Sequence, residues 1–216
     1  MKKIYIILII VSVLIISLGV GIFIIKYLNV EIEDWEESSG DELIEDMIFS
    51  DVSENYWASE YILYLTQRNI MFCDEKERFY PEQKVSYGEF VEILLRCSMG
   101  RLDFENLSDK DFIKIMEENK LLRKGEIGVS KFSEYITKSE VAVLLAKVDM
   151  KIRNNKQLMT YSQYNDLANI DEINQTLITH SIAKGYLKVN KENNFYPNKI
   201  LSRAEVAEII YLFLNK

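Results

Sequence analysis

Three short motifs place a hydroxyl side chain three residues before a glutamate: Ser86 with Glu89, Thr137 with Glu140, and Ser202 with Glu205. In such a capping box the hydroxyl accepts a hydrogen bond from the backbone N–H of the glutamate, and the glutamate accepts one from the backbone N–H of the cap residue. The motifs therefore predict the first turns of three helices. A helix N-terminus also carries unpaired N–H groups and about half a positive charge, so each motif could attract an anion.

The residue directly after the cap differs among the motifs: it is Tyr87 in the first, Lys138 in the second and Arg203 in the third. A cation in the first turn opposes the helix dipole, so helix stability does not explain it. An arginine there could complete a carboxylate site with its bidentate fork, or it could be a solvated surface residue; a lysine supplies the charge without the fork. We rank Arg203 as the first candidate for binding an anion, Lys138 as the second, and the Tyr87 position as altered or silent.

The two prolines of the chain, Pro81 and Pro197, lie in matching segments, RFYPEQKVSYGEF and NFYPNKILSRAEV, and are 116 residues apart. The match extends upstream, because Asp51 in FSDV and Asp166 in YNDL are 115 residues apart. A match over both short segments at one spacing indicates an internal repeat.

Half of that spacing predicts a middle copy near residue 109, where the segment LSDK supplies Asp109. The middle copy continues through NKLL at 119–122, which corresponds to NIM at 69–71 and GYL at 185–187. It closes with KFSEYITKSEV at 131–141, where the proline is absent and the loop is shorter. We therefore predict three repeats of about 58 residues, with a degenerate middle copy.

Each repeat has the layout of a helix, a polar loop and a second helix. Apolar residues at helical spacing follow the opening aspartate, as at Trp57, Tyr61 and Leu65. The second helices read FVEILLRC, VAVLLAKV and VAEIIYLFL, which are nearly continuously apolar and therefore largely buried. Because a two-helix unit cannot bury such a face alone, the three units are expected to stack. The predicted fold is all-α, with helix-loop-helix repeats at 49–100, 101–150 and 151–216.

Two roles stay open for several residues near the start of each repeat. Asp51, Asp109 and Asp166 either cap the first helices or contact a ligand. Trp57 either stacks on a ligand ring or, given its helical spacing from Tyr61, belongs to the core.

The N-terminal part of the chain is predicted to be a membrane anchor followed by an acidic spacer. Residues 4–25 are 22 residues without a charge, about 33 Å of helix, which is enough to cross a bilayer. Lys2 and Lys3 precede this span, so the positive-inside rule predicts a cytoplasmic tip at 1–3, a single transmembrane signal anchor at 4–26, and the repeats on the extracellular side. The spacer at 27–48 carries nine acids and no base between residues 31 and 46, and it should remain solvated.

Charge and motif content argue against several classes of protein. The net charge of −8 arises in the spacer, since the remaining 25 acids balance 26 bases, whereas a nucleic-acid binder needs a clustered basic face. No nucleophile elbow, phosphate loop or metal-ligand cluster occurs, and the single histidine, His180, is expected to be solvated or to cap a helix. Cys73 and Cys97 lack metal-ligand spacing and are expected to be small buried residues, although a disulfide would fit an exported protein. We therefore expect no enzyme activity, no cofactor and no metal.

The repeated segments resemble the S-layer homology repeat, whose pattern is F-x-D, a tryptophan and isoleucine on the first helix, a glycine–hydrophobe pair, an F-x-P loop and a T-R-A-E box. This chain has FSDV, NI, FYP and VSYGE in the first copy, LSD, NKL and ITKSE in the second, and YNDL, GY, FYP and LSRAE in the third. The resemblance covers residues 49–214. It implies three repeats packed about a pseudo-threefold axis, which bind secondary cell-wall polysaccharide, often pyruvylated, in grooves between repeats.

The resemblance also implies that the arginine of the box and residues near the opening aspartate contact the glycan. The candidate ligand-binding residues are Arg203, Lys138, Asp51, Asp109, Asp166, Trp57 and Tyr87. The first hypothesis is thus a non-enzymatic, membrane-anchored envelope protein that binds anionic wall polysaccharide. A second hypothesis, favoured by the loss of arginine from two of the three boxes, is a degenerate repeat module that binds another envelope protein.

Overall fold

Six α-helices in three successive pairs dominate the structure, a computed structural model that describes residues 49–99, 104, 106–152 and 164–216. The helices in these ranges are α1 (Ser59–Gln67), α2 (Tyr87–Met99), α3 (Asp109–Glu118), α4 (Lys138–Ile152), α5 (Glu172–Ala183) and α6 (Arg203–Leu214), with a short 3₁₀ helix at Val129–Ser133. The same ranges contain isolated β-bridges but no strand. The prediction of a helical fold is therefore confirmed for this part of the chain.

The first helix of each pair, α1, α3 or α5, ends in the same way. Two residues after the last helical residue, the backbone turns left-handed at Asn69 (φ 54°), Lys120 (φ 60°) or Gly185 (φ 74°). The following N–H then bonds back five residues, for example from Ile70 to the carbonyl of Leu65 at 2.9 Å. This is the Schellman pattern of helix termination. The three left-handed residues lie in the segments that were matched by sequence, so the local structure recurs with the sequence match.

The second helices, α2, α4 and α6, supply much of the core because they are apolar on most sides. Helix α6 buries Ala204, Val206, Ala207, Ile209, Ile210 and Phe213. Helix α4 packs against α5, α6 packs against α1, and α2 contacts α3 as well as α4 and α6. Each second helix thus packs against the first helix of the following pair, and the last pair returns to the first.

Backbone links join the pairs in the same cyclic order. Antiparallel bridges pair Lys84 with Ser202, Ser86 with Tyr135, and Thr137 with Ile200. The first N–H of each second helix donates to a loop carbonyl of another pair: Arg203 to Gln83 at 2.9 Å, Tyr87 to Glu134 at 2.8 Å, and Lys138 to Lys199 at 2.8 Å. The three residues after the caps therefore lie at three junctions, which we call the 3–1 junction (Arg203), the 1–2 junction (Tyr87) and the 2–3 junction (Lys138).

Some predictions about organisation concern other parts of the chain. The anchor at 4–26 and the spacer at 27–48 lie outside the described residues. Among the helices that the structure does describe, none is long and apolar enough to cross a membrane. The repeat boundary predicted at residue 150 falls inside α4, which continues to Ile152.

Candidate functional site

The opening aspartates of the first and third repeats hold the F-Y-P loops. The same pair of hydrogen bonds forms twice: Asp51 accepts the backbone N–H groups of Phe79 (2.8 Å) and Tyr80 (2.7 Å), and Asp166 accepts those of Phe195 (2.9 Å) and Tyr196 (2.6 Å). Both oxygens of each carboxylate are thus engaged within the protein. The two phenylalanine rings are buried in the core below the loops.

This role corrects the interpretation of Asp51 and Asp166 as caps of the first helices. The N-cap of α1 is Ala58, and the N-cap of α5 is Asp171. Sequence spacing could not separate the two roles, because the bonded N–H groups lie 28 to 30 residues further along the chain.

Asp109 lies in a different environment from the other two aspartates. It is the first residue of α3 and is exposed, while the cap itself is Ser108, whose N–H donates to Asp111 at 2.9 Å. The middle repeat has no F-Y-P loop for Asp109 to hold. Instead, Asp109 lines a surface cavity together with Glu89 and Glu92. Glu89 and Glu92 are already paired with Arg203 and with Arg96, and the lining includes no cation, so this cavity offers an anion no positive partner.

Arg203 extends across the 3–1 junction into the first repeat. Its Nε donates to the carbonyl of Phe79 at 2.8 Å, its Nη2 donates to the carbonyl of Phe72 at 2.7 Å, and its Nη1 pairs with the carboxylate of Glu89. The guanidinium carbon also lies 4.5 Å from the centroid of the Phe79 ring. Only 13% of the side chain is exposed, so the alternative of a solvated surface arginine is wrong. Each guanidinium nitrogen already donates to the protein.

Tyr87 occupies the corresponding position at the 1–2 junction with an uncharged ring. The ring is buried and packs on the Phe132 ring at a centroid distance of 5.9 Å. Lys131 Nζ lies 5.6 Å from the centroid of the Tyr87 ring. Burial, and then the charge of Glu140, raises the pKa of Tyr87. The next residue, Gly88, has no room for a side chain, since a Cβ there would lie 2.8 Å from Phe132 Cδ1. Tyr87 is thus part of the packing between repeats and exposes little surface to a ligand.

Lys138 lies at the 2–3 junction, in a groove of about 90 Å³. Its Nζ donates to the carbonyl of Lys188 at 2.6 Å and lies 4.6 Å from the centroid of the Phe195 ring. Burial lowers the pKa of Lys138, and the positive charge of Lys199 lowers it further. Both effects disfavour the ammonium form, so a nearby anion would stabilise it.

The charged residues of this groove, which we call the Lys138 groove, are Lys138, Lys188, Lys199, Glu205 and Glu208. Lys188 pairs with Glu208 at 2.5 Å, and Lys199 pairs with Glu205. Among the residues that line the groove, three ammonium groups thus face two carboxylates, an excess of one positive charge, and the carboxylate of Asp166 also acts on Lys138 from outside this lining. The sequence interpretation missed Lys188 and Lys199. A usable signal for Lys199 was its place between the proline of the third repeat and the cap Ser202.

The box glutamates are paired with cations as well as with the helix caps. Glu140 accepts the backbone N–H of Thr137 at 2.8 Å and pairs with Lys131 at 2.8 Å. Glu205 accepts the backbone N–H of Ser202 at 3.0 Å. The helix N-termini of α4 and α6 therefore already hold a carboxylate of the protein itself.

Glu89 makes a different use of the same position. Its backbone N–H donates to Ser86 Oγ at 3.1 Å, as in the other two boxes, while its carboxylate pairs with Arg203 across the 3–1 junction. The three boxes thus share a helix-capping hydroxyl, and their glutamates each meet a different basic residue.

Trp57 precedes α1 and is 52% exposed, so the interpretation of Trp57 as a core residue is wrong. Its ring contacts Tyr56 at a centroid distance of 5.8 Å. Burial and the carboxylate of Glu82, whose Oε1 accepts the Tyr56 hydroxyl at 2.6 Å, raise the pKa of Tyr56 to about 12. The charge of Glu205 adds to this shift.

His180 is fully buried, so the expectation of a solvated or capping histidine is wrong. Its Nε2 lies 2.8 Å from one oxygen of Asp149, and the other oxygen of Asp149 accepts the hydroxyl of Tyr186 at 2.7 Å. All three side chains are shielded from solvent between α4 and α5. The sequence signal was Asp149 itself, an acid within a nearly apolar helix. Such a buried network stabilises the packing of α4 against α5.

Both cysteines, Cys73 and Cys97, are unpaired thiols and are partly buried. Burial raises the pKa of Cys97 to about 12. Within the described ranges, no group of three or more histidine, cysteine, aspartate or glutamate residues comes together as a metal site.

The fold and the junctions define a class: a helical protein of three helix pairs, in each of which a loop with a buried aromatic ring connects the two helices. Two segments of the chain, residues 48–91 and 175–207, match the S-layer homology domain family. The first match contains α1, the first F-Y-P loop and the start of α2, and the second contains most of α5, the second F-Y-P loop and the start of α6. The resemblance is therefore supported in the first and third repeats, and the middle repeat lies outside both matches. Domains of this family bind the cell wall.

Two curated relatives are long carbohydrate-active proteins. The chain is 22% identical over 177 residues to "Exoglucanase XynX" of Acetivibrio thermocellus. This match covers 78% of this chain and 16% of the relative. It is 22% identical over 180 residues to "Amylopullulanase" of Thermoanaerobacterium thermosulfurigenes, which covers 79% of this chain and 10% of the relative. The chain thus spans a small part of each relative.

Proposed function

We propose that this chain is a non-enzymatic protein of the cell envelope, whose three repeats pack about a pseudo-threefold axis and bind anionic, pyruvylated wall polysaccharide. The matches to the S-layer homology domain support binding to the cell wall. The cyclic bridges between the helix pairs support the threefold arrangement. The uncharged run at 4–25 supports anchoring in the membrane by a single span, with the repeats on the outer side.

The observation that carries the proposal is the excess positive charge of the Lys138 groove. The Lys138 ammonium is half-buried, and burial together with Lys199 lowers its pKa. A ligand carboxylate in the groove would offset both effects, and it would form a charge-assisted hydrogen bond. The exposed ring of Trp57 is a further surface that a sugar could contact. Lys138 therefore replaces Arg203 as the first candidate for the ligand site, because each guanidinium nitrogen of Arg203 already donates at the 3–1 junction and the side chain is only 13% exposed.

Sedimentation of the full chain with isolated cell walls tests this proposal. We expect Lys138→Ala to weaken binding about tenfold to a hundredfold, since a hydrogen bond to a charged group contributes about 1.5–3 kcal/mol. The matched control is Lys114→Ala, because Lys114 is an exposed lysine of α3 whose pair with Glu118 is long, at 3.9 Å. If the unmodified chain does not sediment with walls, the proposed function is wrong. If Lys138→Ala and Lys114→Ala bind equally well, the groove is not the site.

A second candidate function is a module that binds another envelope protein. One observation favours it: the one arginine among the three box positions is engaged inside the protein, so no box presents a free guanidinium fork. Photo-crosslinking from position 138 in intact cells separates the two functions. A polysaccharide adduct supports wall binding, and one defined protein adduct supports the second function.

A further inference from the structure

The tyrosines of the two F-Y-P loops are exposed, although the residue before each is buried. Tyr80 is 37% exposed and Tyr196 is 49% exposed, whereas Phe79 and Phe195 are completely buried. The phenylalanines account for the packing of the loops against the core. The tyrosine rings therefore need a separate explanation.

Both tyrosines adopt a left-handed backbone that larger residues seldom adopt. Tyr80 has φ 58° and Tyr196 has φ 60°, and a proline follows each of them. Glycine or asparagine accommodates this conformation with less strain. The other left-handed positions among the described residues hold two glycines, two asparagines, Glu77 and Lys120, so the two tyrosines are the aromatic residues with this backbone there. Strain of this kind is found preferentially at ligand-binding sites. A large aromatic residue at both positions is thus unfavourable for the loop alone.

Each tyrosine is also held at both ends. The backbone N–H groups donate to Asp51 and Asp166, as described above. At the other end, the Tyr80 hydroxyl donates to Asp74 Oδ2 at 2.7 Å, and the Tyr196 hydroxyl accepts a hydrogen bond from Asn190 Nδ2 at 2.8 Å. Each ring is therefore exposed but held in one orientation. A ligand that contacts such a ring does not incur the entropy cost of ordering it.

We propose that Tyr80 and Tyr196 are two stacking platforms for uncharged sugar rings of a polysaccharide. The face of an aromatic ring carries negative charge density and attracts the polarised C–H groups of a sugar. This inference rests on the proposed function for the identity of the polymer, but it concerns loops that are distinct from the Lys138 groove.

The surroundings of the rings favour a sugar over a protein surface. The guanidinium of Arg78, which is partly exposed, lies over one face of the Tyr80 ring, 4.9 Å from its centroid, so a sugar would stack on the other face. The neighbouring Glu77 and Glu82 are charged. A binding hot spot for a protein needs a dry apolar surround, which these charges oppose. A sugar offers a C–H face together with hydroxyl groups, and those hydroxyl groups can bond to the charged neighbours.

The test is binding of the full chain to isolated cell walls by the double variant Tyr80→Asn/Tyr196→Asn. Asparagine tolerates the left-handed backbone, so the loops should fold. Loss of an aromatic contact weakens binding about threefold to tenfold per site, so we expect about a tenfold loss or more for the pair. The control is Tyr135→Asn, because Tyr135 is 59% exposed and lies outside both loops. Tyr80→Phe/Tyr196→Phe keeps both rings and should bind within about threefold of the unmodified chain.

The outcomes are separable from those of the proposed function. If the unmodified chain binds walls and the asparagine variant binds equally well, the platforms are refuted while wall binding stands. If the unmodified chain does not bind walls, an NMR titration of the full chain with the neutral oligosaccharide chitotetraose decides. Shifts of the Tyr80 and Tyr196 ring resonances that are absent for Tyr135 support the platforms, and no such shifts overturn them.

Discussion

Removing the guanidinium of Arg203 should open the 3–1 junction, because this side chain makes three polar contacts to the first repeat in addition to its contact with the Phe79 ring. Two of its hydrogen bonds end on the carbonyls of Phe72 and Phe79, and the third contact is the ion pair with Glu89. The two neutral bonds contribute about 0.5–1.5 kcal/mol each, and a bond to a charged group contributes about 1.5–3 kcal/mol. Because part of the Glu89 side chain is exposed, we expect Arg203→Ala to lower the free energy of unfolding by about 3 kcal/mol.

Thermal unfolding of the full chain, followed by circular dichroism at the helix band, measures this effect. A loss of about 3 kcal/mol corresponds to a midpoint lower by about 6–12 °C for a domain of this size. The unfolding midpoint of Arg203→Lys should lie between those of the unmodified chain and Arg203→Ala, since lysine keeps the charge but not the fork. Arg123→Ala is the matched control, because Arg123 is exposed on the surface. A double-mutant cycle with Glu89→Ala should give a coupling of about 1–3 kcal/mol.

The result that refutes this reasoning is a midpoint for Arg203→Ala within about 2 °C of that of the unmodified chain. The guanidinium would then contribute little to the junction. Its donors would be available to a ligand, and Arg203 would again be the first candidate for the glycan site. A large shift with a coupling near zero would instead locate the effect in the two carbonyl bonds.

Two further predictions test the loops and the caps. Asp51→Asn should lower the free energy of unfolding by about 1–3 kcal/mol, because an amide has a single oxygen for the two N–H groups that the carboxylate accepts, whereas Asp109→Asn should change it by less than about 0.5 kcal/mol. For Glu205, burial raises the pKa, but Lys199 and the N–H of Ser202 outweigh it, so the folded pKa is lowered. The stability that Glu205 contributes is therefore present above its unfolded pKa of about 4.3 and is lost as the pH falls through its folded pKa. The free energy of unfolding of Glu205→Gln, measured between pH 3 and 6, should therefore depend less on pH than that of the unmodified chain.

Much of the local structure could be predicted because it depends on neighbouring residues. Capping boxes span three residues, so Ser202 and Glu205 were identifiable as the start of α6 from their spacing. Helix α4 could likewise be predicted from its apolar run after Thr137. The interpretation of Trp57 as a core residue was wrong, because Trp57 precedes α1 and its spacing from Tyr61 is therefore not a helical spacing.

Contacts between distant residues could not be predicted in the same way. Asp51 binds N–H groups 28 and 29 residues away, and Arg203 binds a carbonyl 131 residues away. Nor does any pattern along the chain pair His180 with Asp149, since those side chains meet only where α4 packs against α5.

The sequence by itself determined the helices, the repeated loops and the three positions at which a cation, or its replacement, follows a cap. These properties depend on residues within a few positions of one another, where spacing decides the geometry. Only the tertiary structure decided what those positions do: Arg203 bridges two repeats, Tyr87 is packed between them, and Lys138 lies in a groove with excess positive charge. The physical reason is that the partners of these side chains come from another repeat, and the closed cycle of helix pairs alone brings them within bonding distance.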